Sequence, residues 1–218
     1  MFQPQTYQGV EAVDRLAGLG LSTELLIRTV QRAYAEAATC TNLDPVGTRG
    51  TLLWARMTRF LREELIPSGW VARRPKNQEL TLHFGLGFKL LVVGGDKGTG
   101  RADLIPQPKN PKGPTFYQAV VDNRIPFDFG PEFEGPDEYV EPAVLESLQT
   151  WMVLYRVTKG GQLFLEVSLP DEAGPAGQVS WAERIIVEVP DAGAPIGGMV
   201  QPDDDDLEPY RLTVERLG

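Results

Sequence analysis

Residues Thr150 to Leu169 read TWMVLYRVTKGGQLFLEVSL. Two runs rich in β-branched and aromatic residues, Thr150 to Val157 and Gln162 to Leu169, flank the turn residues Lys159-Gly160-Gly161. That pattern describes two strands folded into a hairpin. A third strand follows at Trp181 to Val189, where Ile185, Val187 and Val189 alternate with Arg184, Ile186 and Glu188. Beyond it the chain turns Gly/Pro-rich and then acidic at Asp203 to Asp206, with a last short strand expected at Tyr210 to Val214.

Toward the N-terminus the period changes. Trp70 to Arg73, Glu79 to Phe84 and Phe88 to Val93 still read as strands, with Gly85 and Gly87 marking the turn between the last two. Upstream of Pro67 the apolar residues recur at helical spacing. Val10, Val13, Leu16 and Ala17 suggest one helix, broken by Gly18 and Gly20. Ser22, followed by Thr23 and Glu24, has the chemistry of an N-cap, and Leu26, Val30, Ala33 and Ala37 form the core stripe of a second helix. A third runs from about Thr51 to Leu65, with Leu53, Met57, Phe60, Leu61 and Leu65 inward and Arg56, Arg59, Arg62 and Glu63 outward. The fold class is α+β: N-terminal helices followed by a largely antiparallel sheet. The chain divides into a helical region, 1–66, a β-hairpin with a basic Gly/Pro/Lys loop, 67–125, and an acidic β region, 126–218, all within the size of a single domain.

Composition limits the chemistry. With one His and one Cys among 218 residues, neither a His/Cys zinc site nor a disulfide framework can be assembled. Any nucleophilic centre of the Ser-His-Asp or Cys-His type would have to use His83. His83 lies between Leu82 and Phe84 in a strand, which favours packing, and Cys40 has no basic neighbour close in sequence to activate it. The polar N-terminus has no leader-like apolar stretch, and no run reaches the length of a membrane span, so a cytoplasmic location without membrane contact is expected.

The net charge of -9 conceals an asymmetry. Residues 1–125 hold 16 Lys and Arg against 11 Asp and Glu, whereas residues 126–218 hold 5 against 19. A basic half of this kind suggests an anionic partner, nucleic acid or an acidic protein surface; the acidic half could meet a basic protein or screen the first. The basic series is Arg49, Arg56, Arg59, Arg62, Arg73, Arg74, Lys76, Lys97, Arg101, Lys109 and Lys112. Three helices followed by a hairpin is also the element order of a winged helix-turn-helix, although the stretch from Cys40 to Gly50 is longer than the tight turn of that motif.

Two further constellations are candidates. Gly94-Gly95-Asp96-Lys97-Gly98-Thr99-Gly100-Arg101 follows a strand, and its amides could cradle a phosphate, though no Gly-Lys-Ser/Thr closes it and Pro106 and Pro108 oppose a following helix. The segment continues to Pro114 as a long surface loop. A metal-dependent nuclease or phosphodiesterase would need acids and a Lys around Mg²⁺, for which Asp96, Asp103, Glu63 or Glu64 and Lys97 are the available residues. Asp203 to Asp206 lacks the alternating ligand spacing of a calcium loop. A short helix at Thr115 to Asn123 and an aromatic connector from Pro126 to Pro142 complete the expectations.

Several phrases in order, RGTLLWARMTRFLREELIPSGW (Arg49 to Trp70), GGDKGTGRAD (Gly94 to Asp103), KNPKGP (Lys109 to Pro114) and EVSLP with WAERIIV (Glu166 to Pro170, Trp181 to Val187), carry a resemblance. The chain from about 49 to 190 resembles an uncharacterised bacterial family found near helix-turn-helix and metallopeptidase-like regulators, in toxin-antitoxin or defence-type neighbourhoods. The resemblance implies that setting and brings no catalytic residues. The expected function is therefore a non-catalytic interaction or regulatory protein that binds nucleic acid or a protein partner through its basic face. The alternative is the Mg²⁺-dependent nuclease.

Overall fold

The structure, a computed structural model, describes residues 3–75, 78–109, 142–174 and 178–190. Lys76 and Lys112, the helix expected at Thr115 to Asn123, the acidic run Asp203 to Asp206 and the strand expected at Tyr210 to Val214 lie outside those residues. So does the connector from Pro126, except for Pro142, which opens a helix.

The chain begins with a three-residue strand, β1 (Gln5–Tyr7), then α1 (Gly9–Ala17), α2 (Thr23–Ala37) and α3 (Thr48–Leu65). A single 3-10 turn, Ile66–Ser68, leads into β2 (Val71–Arg73), β3 (Leu80–His83) and β4 (Phe88–Gly94). After α4 (Pro142–Ser147) come β5 (Gln149–Val157), β6 (Leu163–Ala173) and β7 (Val179–Val187). The strands form one sheet in the order β1-β7-β6-β5-β4-β3-β2. Pairing is antiparallel except at β4–β5 and at β1–β7. The protein is thus α+β, with most of its strands following the N-terminal helices. β1 is the exception: three residues are too few to show a period, and its place is set by the parallel ladder that pairs Thr6 with Arg184.

The helices pack on one face of the sheet. Ser22 Oγ accepts from the Leu25 amide at 3.2 Å, which starts α2 where a capping side chain should. Leu26, Val30, Ala33 and Ala37 of α2 join Leu53, Met57, Phe60, Leu61 and Leu65 of α3 in a core that also takes Leu90, Val92, Trp151, Val153, Leu165, Val167, Ile185 and Val187 from the sheet. This single cluster draws on all three segments of the sequence. α1 deviates from its spacing: Val10 and Val13 are 77% and 49% exposed, while Ala12 and Leu16 are buried. α1 lies along β7, so it needs only one narrow apolar row, and Arg15 reaches from it to Glu183 at 2.7 Å.

The other face of the sheet is covered as well. Val93, Met152, Leu154, Val179 and Trp181 form a second cluster there, and Leu80, Leu82 and Leu148 a third. Strands buried on both faces read as continuous apolar runs, and this explains WMVLY and RIIV. Arg184, which alternation places on a polar outer side, is therefore fully buried. Among the described residues no helix is long and apolar enough to cross a membrane.

Candidate functional site

The feature that stands out from the core is polar. Glu166 on β6 and Arg184 on β7 are both 0% exposed and form an ion pair, with Nη2 to Oε2 at 2.6 Å and Nε to Oε1 at 3.2 Å. Their neighbours Leu165, Val167 and Ile185 point into the helical core, so strand alternation sends Glu166 and Arg184 to the opposite face. The register sets Arg184 across from Ser168, one step diagonal to Glu166. Ser168 Oγ donates to Glu166 Oε1 at 2.8 Å.

What covers this pair is the Gly-rich segment after β4. Arg184 Nη1 donates to the Leu104 carbonyl at 2.9 Å, and Nη2 donates to the Arg101 carbonyl at 3.0 Å and the Gly98 carbonyl at 3.4 Å. Glu166 Oε2 accepts from the Gly100 amide at 2.8 Å. Trp181 Nε1 donates to the Pro106 carbonyl, and the Gln107 side chain both accepts from the Val179 amide and donates to the Val179 carbonyl. A buried ion pair is tolerated when its remaining donors and acceptors are satisfied, and here the loop backbone satisfies them. The loop expected to lie free on the surface is thus tied to β6 and β7, with Gly98, Thr99 and Pro106 buried.

Within the loop, Asp96 Oδ1 accepts from the amides of Gly98 at 2.9 Å and Gln107 at 3.0 Å, which ties the two limbs together. A Cβ at Gly98 would lie 2.7 Å from the Ile105 carbonyl oxygen, so only glycine allows the limbs this close. The neck is the antiparallel bridge between Gly95 and Pro108. The amides of Gly95, Asp96, Gly98, Thr99, Gly100 and Arg101 all donate to protein acceptors. An amide already engaged cannot cradle a phosphate, so in this conformation the Gly loop has the wrong donors for nucleotide binding.

The carboxylates of the nuclease reading are not brought together. Glu63 and Glu64 lie on α3 in the helical layer; Asp96 and Asp103 lie in the loop on the opposite face. Glu63 pairs with Arg59 at 2.7 Å and Arg32 at 2.9 Å, and Glu64 with Arg28 at 2.8 Å. Hydrogen bonds from Arg59 and then Arg32 hold the Glu63 carboxyl below its usual range, and Arg28 does the same for Glu64. Asp103 is paired with Arg101 at 2.6 Å, which lowers the carboxyl and raises the guanidinium. Lys97 is exposed. Among the described residues no group of three or more His, Cys, Asp or Glu could hold a metal ion.

The basic series is dispersed in the same way. Arg56 pairs with Glu36, Arg62 with Glu79 at 3.0 Å and Arg74 also with Glu79. Arg62 further donates to the Leu80 carbonyl at 2.9 Å and so clasps α3 to β3. Arg73 donates to its neighbour's carbonyl at Ala72, and Lys109 sits just past the neck. Arg49, Arg73 and Lys97 are the members of the series that make no ion pair among the described residues. His83 Nδ1 accepts from the Leu86 amide at 3.1 Å and its ring meets Trp70 edge-on at 5.3 Å, which makes it a brace for the β3–β4 turn. Cys40 is half-buried beside the α2–α3 turn. From sequence that stretch reads only as a loop longer than a helix-turn-helix turn. It displays Leu43 at 90% and Val46 at 87% exposure.

Glu166, Ser168 and Arg184 read from sequence as strand residues, Glu166-Val167-Ser168 as an acid-x-Lys position of the nuclease reading that ends in Ser, and nothing there brings the three together. Their signal is a carboxylate and a guanidinium of opposite charge, each inside an otherwise apolar strand, LFLEVSL and WAERIIV. Such charges are rarely buried unless paired. Compared with models of protein families, with curated protein sequences and with solved structures, the chain matches none.

Proposed function

We propose that the protein is a non-catalytic interaction protein, and that it engages a protein partner through the α2–α3 turn. The observation that carries this reading is the pair Leu43 and Val46, the most exposed large apolar residues among those described, held on an ordered turn. Asp44 Oδ2 accepts from the Thr41 amide at 2.7 Å, Thr41 Oγ1 from the Leu43 amide at 3.2 Å, and the Pro45 carbonyl from the Thr48 amide at 3.1 Å. A turn preorganised in this way presents its apolar side chains at low entropic cost on binding. Trp54, 38% exposed and fixed by its indole to the Val92 carbonyl, and Arg49 lie one to two turns along α3 from this site. Aromatic residues and arginine are the side chains that most often anchor protein interfaces.

Nucleic acid is the less favoured partner. Sequence-independent binding to phosphates needs cations free to neutralise them, and most of the described basic series already faces carboxylates. The family resemblance would place the protein in a toxin-antitoxin or phage-defence setting, where a cognate protein would be such a partner. The nuclease reading has the sheet between its carboxylates.

The test is co-purification from the native host of the wild-type chain and of Leu43→Asp/Val46→Asp, with fluorescence anisotropy against DNA and RNA at low salt. The expected result is a stoichiometric protein partner that the double variant loses while keeping its circular dichroism. Salt-dependent nucleic-acid binding abolished by Arg49→Ala/Arg73→Ala/Lys97→Ala would overturn the proposal, as would a partner retained by the double variant.

A further inference from the structure

The bonds of segment 96–107 fall into two sets, those within the segment and those that cross to the sheet. Within it, Asp96 joins the two limbs, the Thr99 amide donates to the Asp96 carbonyl, and Gly98 sits against Ile105 and Pro106. Among the described residues, crossing bonds end on β6 or β7, at Glu166, Val179, Trp181 and Arg184. The neck is narrow: Gly95 faces Pro108, the Asp96 amide meets the Gln107 carbonyl, and the Lys109 amide meets the Gly94 carbonyl. A compact loop with close ends and its own internal packing is an Ω-like unit.

Polar bonds dominate the crossing set. Lys97, Arg101, Ala102, Asp103 and Ile105 are exposed, so of the segment's own apolar side chains Pro106 is buried and Leu104 half-buried. Water can replace hydrogen bonds at small net cost, and opening would rehydrate Glu166 and Arg184, which removes the desolvation penalty of their burial. The helical layer has less such compensation, because its opening would expose mainly apolar surface, with Arg15 to Glu183, Arg62 to Leu80 and Trp54 to Val92 as its polar ties to the sheet.

We infer that residues 96–107 form a strap that swings off β6 and β7 as one body while the helices and the sheet stay folded, with Arg184 as its latch. Opening bares the Arg184 guanidinium and frees the Trp181 indole Nε1–H. This device is independent of the partner-binding turn.

Three of the protons that cross the strap–sheet seam report on it: the Gly100 amide, the Val179 amide and the Trp181 indole Nε1–H. Native-state hydrogen exchange by NMR on the full chain measures them. The expected result is one common protection factor for all three, after division by each proton's intrinsic exchange rate, insensitive to low denaturant and at least about tenfold smaller than those of the amides of Val153, Val167 and Ile185. Gln107→Ala, which removes only its own two bonds to Val179, is expected to speed the Gly100 and Trp181 protons as well, by about tenfold. Exchange of the three only through global unfolding overturns the inference, as do unrelated protection factors or a Gln107→Ala effect confined to Val179.

Discussion

The two faces of the sheet are held by different physics. On one, three helices bury a continuous apolar cluster from Ala12 to Val187. On the other, a short strap is fastened to β6 and β7 by a buried ion pair and by bonds to backbone, one of them from the Trp181 indole. An apolar contact loses its stabilisation in proportion to the area removed. A buried polar contact changes sign, because a partner left alone keeps its desolvation penalty.

The largest effect should therefore come from the polar side. Arg184→Met leaves Glu166 buried without its ion partner, and should lower stability in urea unfolding by about 3–5 kcal/mol. On the helical side, Leu61→Ala should cost about 2–5 kcal/mol, graded by how far the cavity between α2 and α3 collapses. A single-residue overpacking of the strap, Gly98→Ala, should cost about 1–3 kcal/mol, because the new Cβ meets backbone atoms of Ile105 that cannot rotate away. By contrast Ile105→Ala, at 52% exposure, should stay within about 0.5 kcal/mol. If Ile105→Ala proved as costly as Leu61→Ala, the strap would be an apolar cover and the contrast between the faces would collapse.

The smallest expected effect is electrostatic. Glu63 and Glu64 have carboxyls lowered by arginines of α2 and α3, so the stability they contribute is present above their unfolded value near 4.5. It is lost as pH falls through their lowered folded values. Both sit at the surface, where such pairs contribute little and salt screens them. Acid unfolding curves of Glu63→Gln/Glu64→Gln should converge with those of the wild type at the lowest pH and lie slightly below them above pH 4.5. A gap that widened toward low pH would reverse the assignment.

The helical face was legible from sequence because its signals are local and periodic. Leu26, Val30, Ala33 and Ala37 repeat at helical spacing, and Ser22 caps the helix that carries them. The hairpin of β5 and β6 was legible for the same reason. The strap was not, since its meaning depends on contacts between Gly98 to Leu104 and Arg184, some eighty positions later in the chain. Glycines that read as freedom are there for close packing, and most of the described arginines that read as a patch are paired with carboxylates, as Arg62 is with Glu79. The exposure of Leu43 and Val46 gave no pattern at all, because two apolar residues in a polar turn look ordinary until the turn is seen to hold them outward.

The central claim is that the Glu166–Arg184 pair fastens the strap. It is tested most directly by hydrogen exchange in Glu166→Leu/Arg184→Met, which removes both charges and leaves no buried ion. The acceptors of the Trp181 indole and the Val179 amide, Pro106 and Gln107, are untouched by that change. The account predicts that both protons lose protection by at least about tenfold while the amides of Val153 and Val167 keep theirs. Unchanged protection at Trp181 and Val179 would contradict it and show that the strap is held without its latch.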